Sequence, residues 1–234
     1  MKYNIRVALW LCFIIFIIFL LQVFIEGFTD YFILDTRLVL FKFYTLVTAI
    51  FLHSGIPHLF YNLFGLALFG SILEHVIGSK RFLILFFVAG LAASLISIPF
   101  YARVLGASGA IFGILGMLGV LRPKLTVWVY SMPMPMILAL FVWAAADMLG
   151  VFVPTDTANI AHLGGLGIGV VAGLYYRTQF KEKKENKSNI VIFGSGSSGL
   201  IYFKNAKKRL TFEEINKEHP NLIPGLVSHP GIGL

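Results

Sequence analysis

The chain has 234 residues, of which 58% are hydrophobic and 13% charged, and its mean hydropathy is +0.84. That balance excludes a soluble domain and describes a multi-span α-helical membrane protein. The formal net charge of +8 does not point to nucleic acid, because most Lys and Arg fall in short connections and in the tail, as in cytoplasmic loops.

About 20 apolar residues cross a bilayer as a helix. Span 1 is read near 7–25. It lacks an Ala-x-Ala-like cleavage site, so it is expected to be retained. It holds the single cysteine, Cys12, so a disulfide framework is excluded. A long loop follows, in which Leu38 to Leu52 is apolar apart from Lys42 and some hydroxyls. As a seventh span this stretch would invert everything after it, so it is read as an amphipathic loop at the outer interface. Span 2 is read near 58–77 and opens on His58 and Asn62; span 3 is read near 81–98. Span 4, near 108–121, is short and begins at Gly106-Ala107-Ser108-Gly109. Its start should lie below the membrane surface, where non-helical backbone must be covered by protein or line a wet cavity. Spans 5 and 6 are read near 125–146 and 158–177, with His162 about one turn into the latter.

The basic residues orient these spans. Lys2 and Arg6, Lys80 and Arg81, Arg122 and Lys124, and the run Lys181 to Lys187 all fall on one side. The other side carries Glu26, Asp30, Asp35 and Asp156, with only Arg37, Lys42 and Arg103 against them. Six spans with both termini in the cytoplasm are therefore expected, in the cell membrane. Residues 1–178 form the membrane domain and 179–234 a cytoplasmic tail, read as a small α/β segment cut short. In the tail, Ile190 to Phe203 reads as strand–turn–strand, with no Gly-Lys-Ser/Thr to make it a phosphate loop. Thr211 reads as an N-cap with Glu214 three residues on. Leu210 to Leu234 bears a faint likeness to an alkaline-phosphatase-like hydrolase, without a metal-ligand set.

With a cytoplasmic N-terminus, spans 2, 4 and 6 all run inward, so His58, Ser108 and His162 share the outer half of the bilayer. Ser108 at a helix start has a backbone N–H without an intrahelical partner, aimed at any developing anion. Taken alone it reads first as a small packing residue in a glycine-rich helix. His162 is an ionisable group inside a span and, as a neutral imidazole, could take a proton from Ser108. Gly109 and Gly113 on span 4 face a matching ridge of Gly165, Gly169 and Gly173 on span 6, and such faces let backbones approach closely. His58 and Asn62 lie four apart on one helical face, where they serve either as interhelical polar contacts or, with the Ser108 N–H, as an oxyanion hole. His53 is read as orienting the loop before span 2, and Glu74 as structural. Asp147 could imitate a triad acid, but nothing in its spacing puts it behind His162, so a Ser–His dyad is preferred.

These residues resemble the rhomboid intramembrane serine proteases over roughly 40–177. The matching stretches are Phe51-Leu52-His53-Ser54-Gly55 with His58 to Leu63, Gly70 to Glu74, Gly78 to Phe82, Gly106 to Gly113, and Ala161-His162-Leu163-Gly164-Gly165. The resemblance implies an all-α bundle of six transmembrane helices with a long outer loop between helices 1 and 2. It implies Ser108 as nucleophile, His162 as base, and His58, Asn62 and the Ser108 amide as oxyanion hole. No cofactor or metal is implied. The expected substrates are single-span or multi-span membrane proteins in the bilayer, cut near the outer ends of their helices through an acyl-enzyme. It also implies that Phe141 and Trp143 flank the substrate entrance. Phe43, Tyr44 and Thr45 stand where many members carry Trp-Arg, so the long loop is expected to be held by other contacts. Two rival readings remain: a catalytically dead relative that guides membrane proteins, and a small transporter. The presence of both dyad residues speaks against the first, and the clustering of polar groups at one end against the second.

Overall fold

Helix α1 (Val7–Phe24) is apolar all round, yet only Ala8, Leu11 and Ile15 are buried. Those three lie on one stripe at helical spacing, while Trp10, Phe13, Phe16 and Phe24 are exposed. A helix with apolar side chains facing outward belongs in lipid. The computed structural model describes residues 7–129, 131–153, 157–185, 190–195, 198–203, 211–218 and 220–227. Chain contacts divide it into two units, Met1–Phe180 and Lys181–Leu234. Three described helices are long and apolar enough to cross a membrane: α1, the stretch Ile56–Ile77 and Ser79–Ser97. Ser108–Leu121 and Met136–Gly150 are shorter apolar helices.

After α1 come a short helix α2 (Phe28–Phe32), strand β1 (Leu34–Asp35), a 3₁₀ turn over Thr36–Leu38, helix α3 (Thr45–Thr48) and a second 3₁₀ turn over Ala49–Phe51. Leu38 to Leu52 is thus no seventh span. Its turns bury Thr45, Ala49, Ile50 and Leu52 and expose Leu40, Phe41 and Phe43. Local bonds hold it: Thr45 Oγ1 donates to the Lys42 carbonyl at 2.6 Å, and Thr48 Oγ1 to that of Phe32 at 2.8 Å. The loop then clamps the chain ahead of Ser108. Strand β1 pairs antiparallel with β2 (Arg103–Val104), Arg103 pairs with Asp30, and the Gly106 N–H donates to the Ala49 carbonyl at 2.8 Å.

Helix α4 (Ile56–Gly65) continues through a π-helical stretch (Leu66–Gly70) into α5 (Ser71–Ile77), making one span. Glu74, buried in α5, accepts the Val7 and Ala8 N–H groups at 2.9 Å and the Ser79 hydroxyl at 2.6 Å. It therefore ties the start of α1 and of α6 (Ser79–Ser97) to one end of the bundle, the structural role read from the sequence. Helix α7 (Ser108–Leu121) is central, with ten of its 14 residues buried, four of them glycines.

Span 5 needs correction. The sequence reading ran it over 125–146, but Thr126–Val129 (β3) and Met132–Pro135 (β4) form an antiparallel hairpin, and helix α8 covers Met136–Gly150. Thr126, Val127 and Val129 favour the pleated backbone. Pro133 and Pro135 lack the N–H groups that a helix interior would need. Helix α9 (Asn159–Glu185) closes the membrane unit and runs eight residues past the predicted end of span 6 at 177.

Helix packing is set by glycine. A Cβ on Gly165 would sit 2.0 Å from the Gly109 carbonyl oxygen, and one on Gly169 1.9 Å from that of Gly113. At Gly165 and Gly169 the ridge read from the sequence is therefore a backbone-to-backbone contact between α7 and α9, while Gly173 meets the Val120 side chain. Gly109 and Gly113 also meet α6, where their Cβ atoms would lie 2.4 Å from Ala93 and Ala89.

The second unit carries strands β5 (Ile190–Ser195) and β6 (Ser198–Phe203), paired from Ile190–Phe203 to Ser195–Ser198. The predicted turn centre, 196–197, lies outside the described residues. Helix α10 (Phe212–Glu218) has the expected capping box: the Thr211 N–H donates to Glu214 Oε2 at 2.9 Å, and the Glu214 N–H to Thr211 Oγ1 at 3.3 Å. Helix α11 (Leu222–Val227) follows. The glycine-rich end beyond it lies outside the described residues.

Candidate active site

Ser108 is the first residue of α7, and the chain reaches it through Gly106, whose φ of +120° favours glycine. A side chain at 106 would also collide with the His58 ring, its Cβ falling 2.7 Å from Cε1 and 2.9 Å from Nε2. The close approach of α7 and α9 sets His162 opposite Ser108. His162 Nε2 lies 2.7 Å from Ser108 Oγ. The Phe112 ring, one turn further along α7, stacks on the imidazole at 4.4 Å between centroids and 12° between planes. The start of α9 is itself fixed, because the Ile160 N–H donates to the Tyr101 hydroxyl at 3.1 Å.

His58 and Asn62 enter the same cavity from α4. This cavity of about 780 Å³ is lined by Ser108, His162, His58 and Asn62 together with loop residues such as Arg103 and Leu105. The Ser54 N–H and hydroxyl lie 3.4 and 3.0 Å from His58 Nδ1. An N–H can only donate, so Nδ1 accepts and Nε2 carries the ring proton. The proton-bearing nitrogen is the one beside Gly106, available as a donor. Asn62 is buried; one of its amide hydrogens goes to the His58 carbonyl at 2.8 Å, which leaves the second for another acceptor.

All four residues singled out from the sequence therefore line one cavity. Three further contacts were not read from it: Ser54 on His58, Phe112 on His162, and the acid behind His162. The last corrects the sequence reading, which set Asp147 aside. Asp147 Oδ1 on α8 lies 3.1 Å from His162 Nδ1, and both side chains are nearly buried. The available signal was a carboxylate at the very end of an apolar span, where a charge is costly and seldom idle. Of the two aromatics expected at a substrate entrance, Phe141 is exposed, whereas Trp143 packs edge-on against Phe69 of the π-helical stretch at 5.9 Å.

His53 is buried in the loop before α4, with its ring centroid 5.0 Å from that of His58. Its main chain is held by Gln22 of α1: Nε2 donates to the His53 carbonyl at 3.1 Å and the His53 N–H donates to Oε1 at 2.9 Å. Burial, followed by the neighbouring His58, pushes its pKa down to about 4. Among the described residues no group of three or more His, Cys, Asp or Glu is placed to hold a metal ion.

The arrangement offers a hydroxyl against an imidazole nitrogen, with nearby donors, in a cavity walled by apolar helices. The family model described as the rhomboid domain matches residues 40–179. RHOMBOID-like protein 6, mitochondrial, of Arabidopsis thaliana is 33% identical over 154 residues, covering 64% of this chain and 49% of that protein. The putative rhomboid protease YdcA of Bacillus subtilis is 31% identical over 149 residues, covering 61% and 71%. Rhomboid protease GluP of the same organism is 44% identical over 79 residues, covering 33% and 15%. The matched segment spans about half or less of the length of several curated relatives, 49% and 37% in two from Arabidopsis thaliana.

Proposed function

This chain belongs to the rhomboid family of multi-pass membrane proteins, and we propose that it is a serine endopeptidase cleaving substrate transmembrane helices near their outer ends. The observation that carries this reading is the 2.7 Å contact between Ser108 Oγ and His162 Nε2 at the wall of a large cavity. His162 takes the Ser108 proton as Oγ attacks the scissile carbonyl. The carbonyl electrons move to oxygen, which the Ser108 N–H, His58 Nε2–H and the free Asn62 amide hydrogen receive. The tetrahedral intermediate collapses, its amine leaves with the proton from His162, and water then releases the acyl group by the same steps.

A helical substrate hides its carbonyls in its own hydrogen bonds, so it must unwind locally before attack. Small residues at the cut and Gly or Pro nearby are the expected preference. Six spans, with both termini in the cytoplasm of the cell membrane, complete the proposal. Residues 1–178 would be the protease domain and 179–234 a tail. Two dyad residues in bonding contact favour an active enzyme over a dead relative. The test is cleavage of a single-span substrate in liposomes, with the cut mapped by mass spectrometry. The wild type is expected to cut near the outer end of the helix and Ser108→Ala not at all. Equal cleavage by both would refute the assignment.

A further inference from the structure

The mechanism above leaves one buried acid without a task. Asp147 is 8% exposed, and its Oδ2 has no hydrogen-bond partner among the described residues. Its Oδ1 meets His162 Nδ1 at 3.1 Å, on the far side of the ring from Ser108. Withdrawing a carboxylate from water is costly, and one contact with a histidine is meagre return if it merely joins two helices.

We propose that Asp147 is a positioning residue for the reaction: its carboxylate accepts the Nδ1–H of His162 and so keeps the Nε2 lone pair facing Ser108. This rests on the reading of Ser108 as nucleophile. A neutral imidazole carries one ring proton, on either nitrogen. An ionised carboxylate can only accept, so an Asp147 contact at Nδ1 selects the Nδ1–H form. Only that form can receive the Ser108 proton, because in the other Nε2 is already occupied. As the Ser108 O–H bond breaks and Oγ bonds to the substrate carbon, the proton passes to Nε2, and the imidazole becomes a cation beside an anion already in place. The same Nε2 proton then leaves with the amine, while the Asp147 carboxylate keeps accepting from Nδ1. Phe112 stacks on the ring and limits its tilt, but a stacked face does not choose between the two nitrogens. The sequence-level dyad thereby becomes a three-residue relay drawn from α7, α8 and α9.

Two measurements on the full-length protein in nanodiscs decide this. The first is ¹⁵N NMR of the labelled histidines, with His162 assigned by the signal lost in His162→Ala. In wild type at neutral pH, Nδ1 is expected to bear the proton and Nε2 to be bare; a His162 protonated on Nε2 overturns the proposal without any change at Asp147. The second is kinetics on a single-span substrate. Asp147→Asn, a neutral amide of the same shape, is expected to lower kcat by about 10²- to 10⁴-fold, with KM within roughly twofold. Asp147→Glu should recover part of the loss. A purely structural acid would give a wild-type kcat in Asp147→Asn protein that remains folded, and that result also overturns it. A folded wild type that cuts no substrate and does not react with a fluorophosphonate would instead sink the reading of Ser108 on which this role depends.

Discussion

At the scale of single residues, the site depends on small geometric tolerances. Gly106 is the sharpest case, since its backbone favours glycine and its missing side chain leaves room for the His58 ring. Gly106→Ala would add strain of about 1–3 kcal/mol and push His58 aside. Turnover should fall while the protein still inserts, which activity assays and detergent unfolding on one preparation would separate. Asn62→Ala should lower kcat by about 10²–10³ with little change in KM, the usual cost of an oxyanion donor. His53 gives a pH dependence of stability. Its folded-state pKa is lowered from 6.5 to about 4, so below 6.5 the unfolded chain binds a proton that the folded chain refuses. Its contribution is full above that range and is lost as pH falls from 6.5 to about 4, by about 3 kcal/mol in all. Unfolding midpoints across that window should drop more steeply for wild type than for His53→Gln; equal slopes would remove His53 from the account. Ser108 and His162 were legible in the sequence because each is a polar group in a span that lipid should reject. Asp147 carried the same signal, yet spacing alone could not fix the rotation of α8 relative to α9.

At the scale of elements, α7 and α9 are pressed together along glycines, and that contact brings His162 within 2.7 Å of Ser108. Gly165 and Gly169 face backbone carbonyls, which cannot swing away as a side chain can. Gly165→Ala or Gly169→Ala should separate the helices and abolish most activity, although both substitutions lie beyond His162 itself. Gly167, two residues from each, faces open space, with no atom of another element within 4 Å of where a Cβ would stand, so Gly167→Ala should keep activity. It should also gain about 0.5–1 kcal/mol from helix propensity. Parallel activity assays on the three variants test this, and an inactive Gly167→Ala would show that the loss is not a packing effect. The glycine ridge could be read beforehand because small residues recur every four positions. The β3–β4 hairpin could not, because an apolar run with β-branched residues suits a strand as well as a buried helix segment. The two prolines at 133 and 135 were the available clue.

At the scale of the whole molecule, α1 turns its bulky face outward, α7 is enclosed, and polar side chains gather where α4, α7 and α9 begin. Hydropathy made the membrane class plain from composition alone, and the positive-inside rule gave an orientation without reference to any fold. That orientation predicts that single cysteines placed at the exposed Phe41 and in the 123–125 connection react from opposite sides of sealed vesicles. Labelling of both positions from one side would reverse or break the topology. The central claim, that Ser108 is a nucleophile activated by His162, is tested most directly by treating purified protein in detergent with a fluorophosphonate and mapping the adduct by peptide mass. The account predicts one adduct, on Ser108, formed in wild type and lost in His162→Ala. A folded wild type that takes up no probe, or takes it up at another residue, would contradict it.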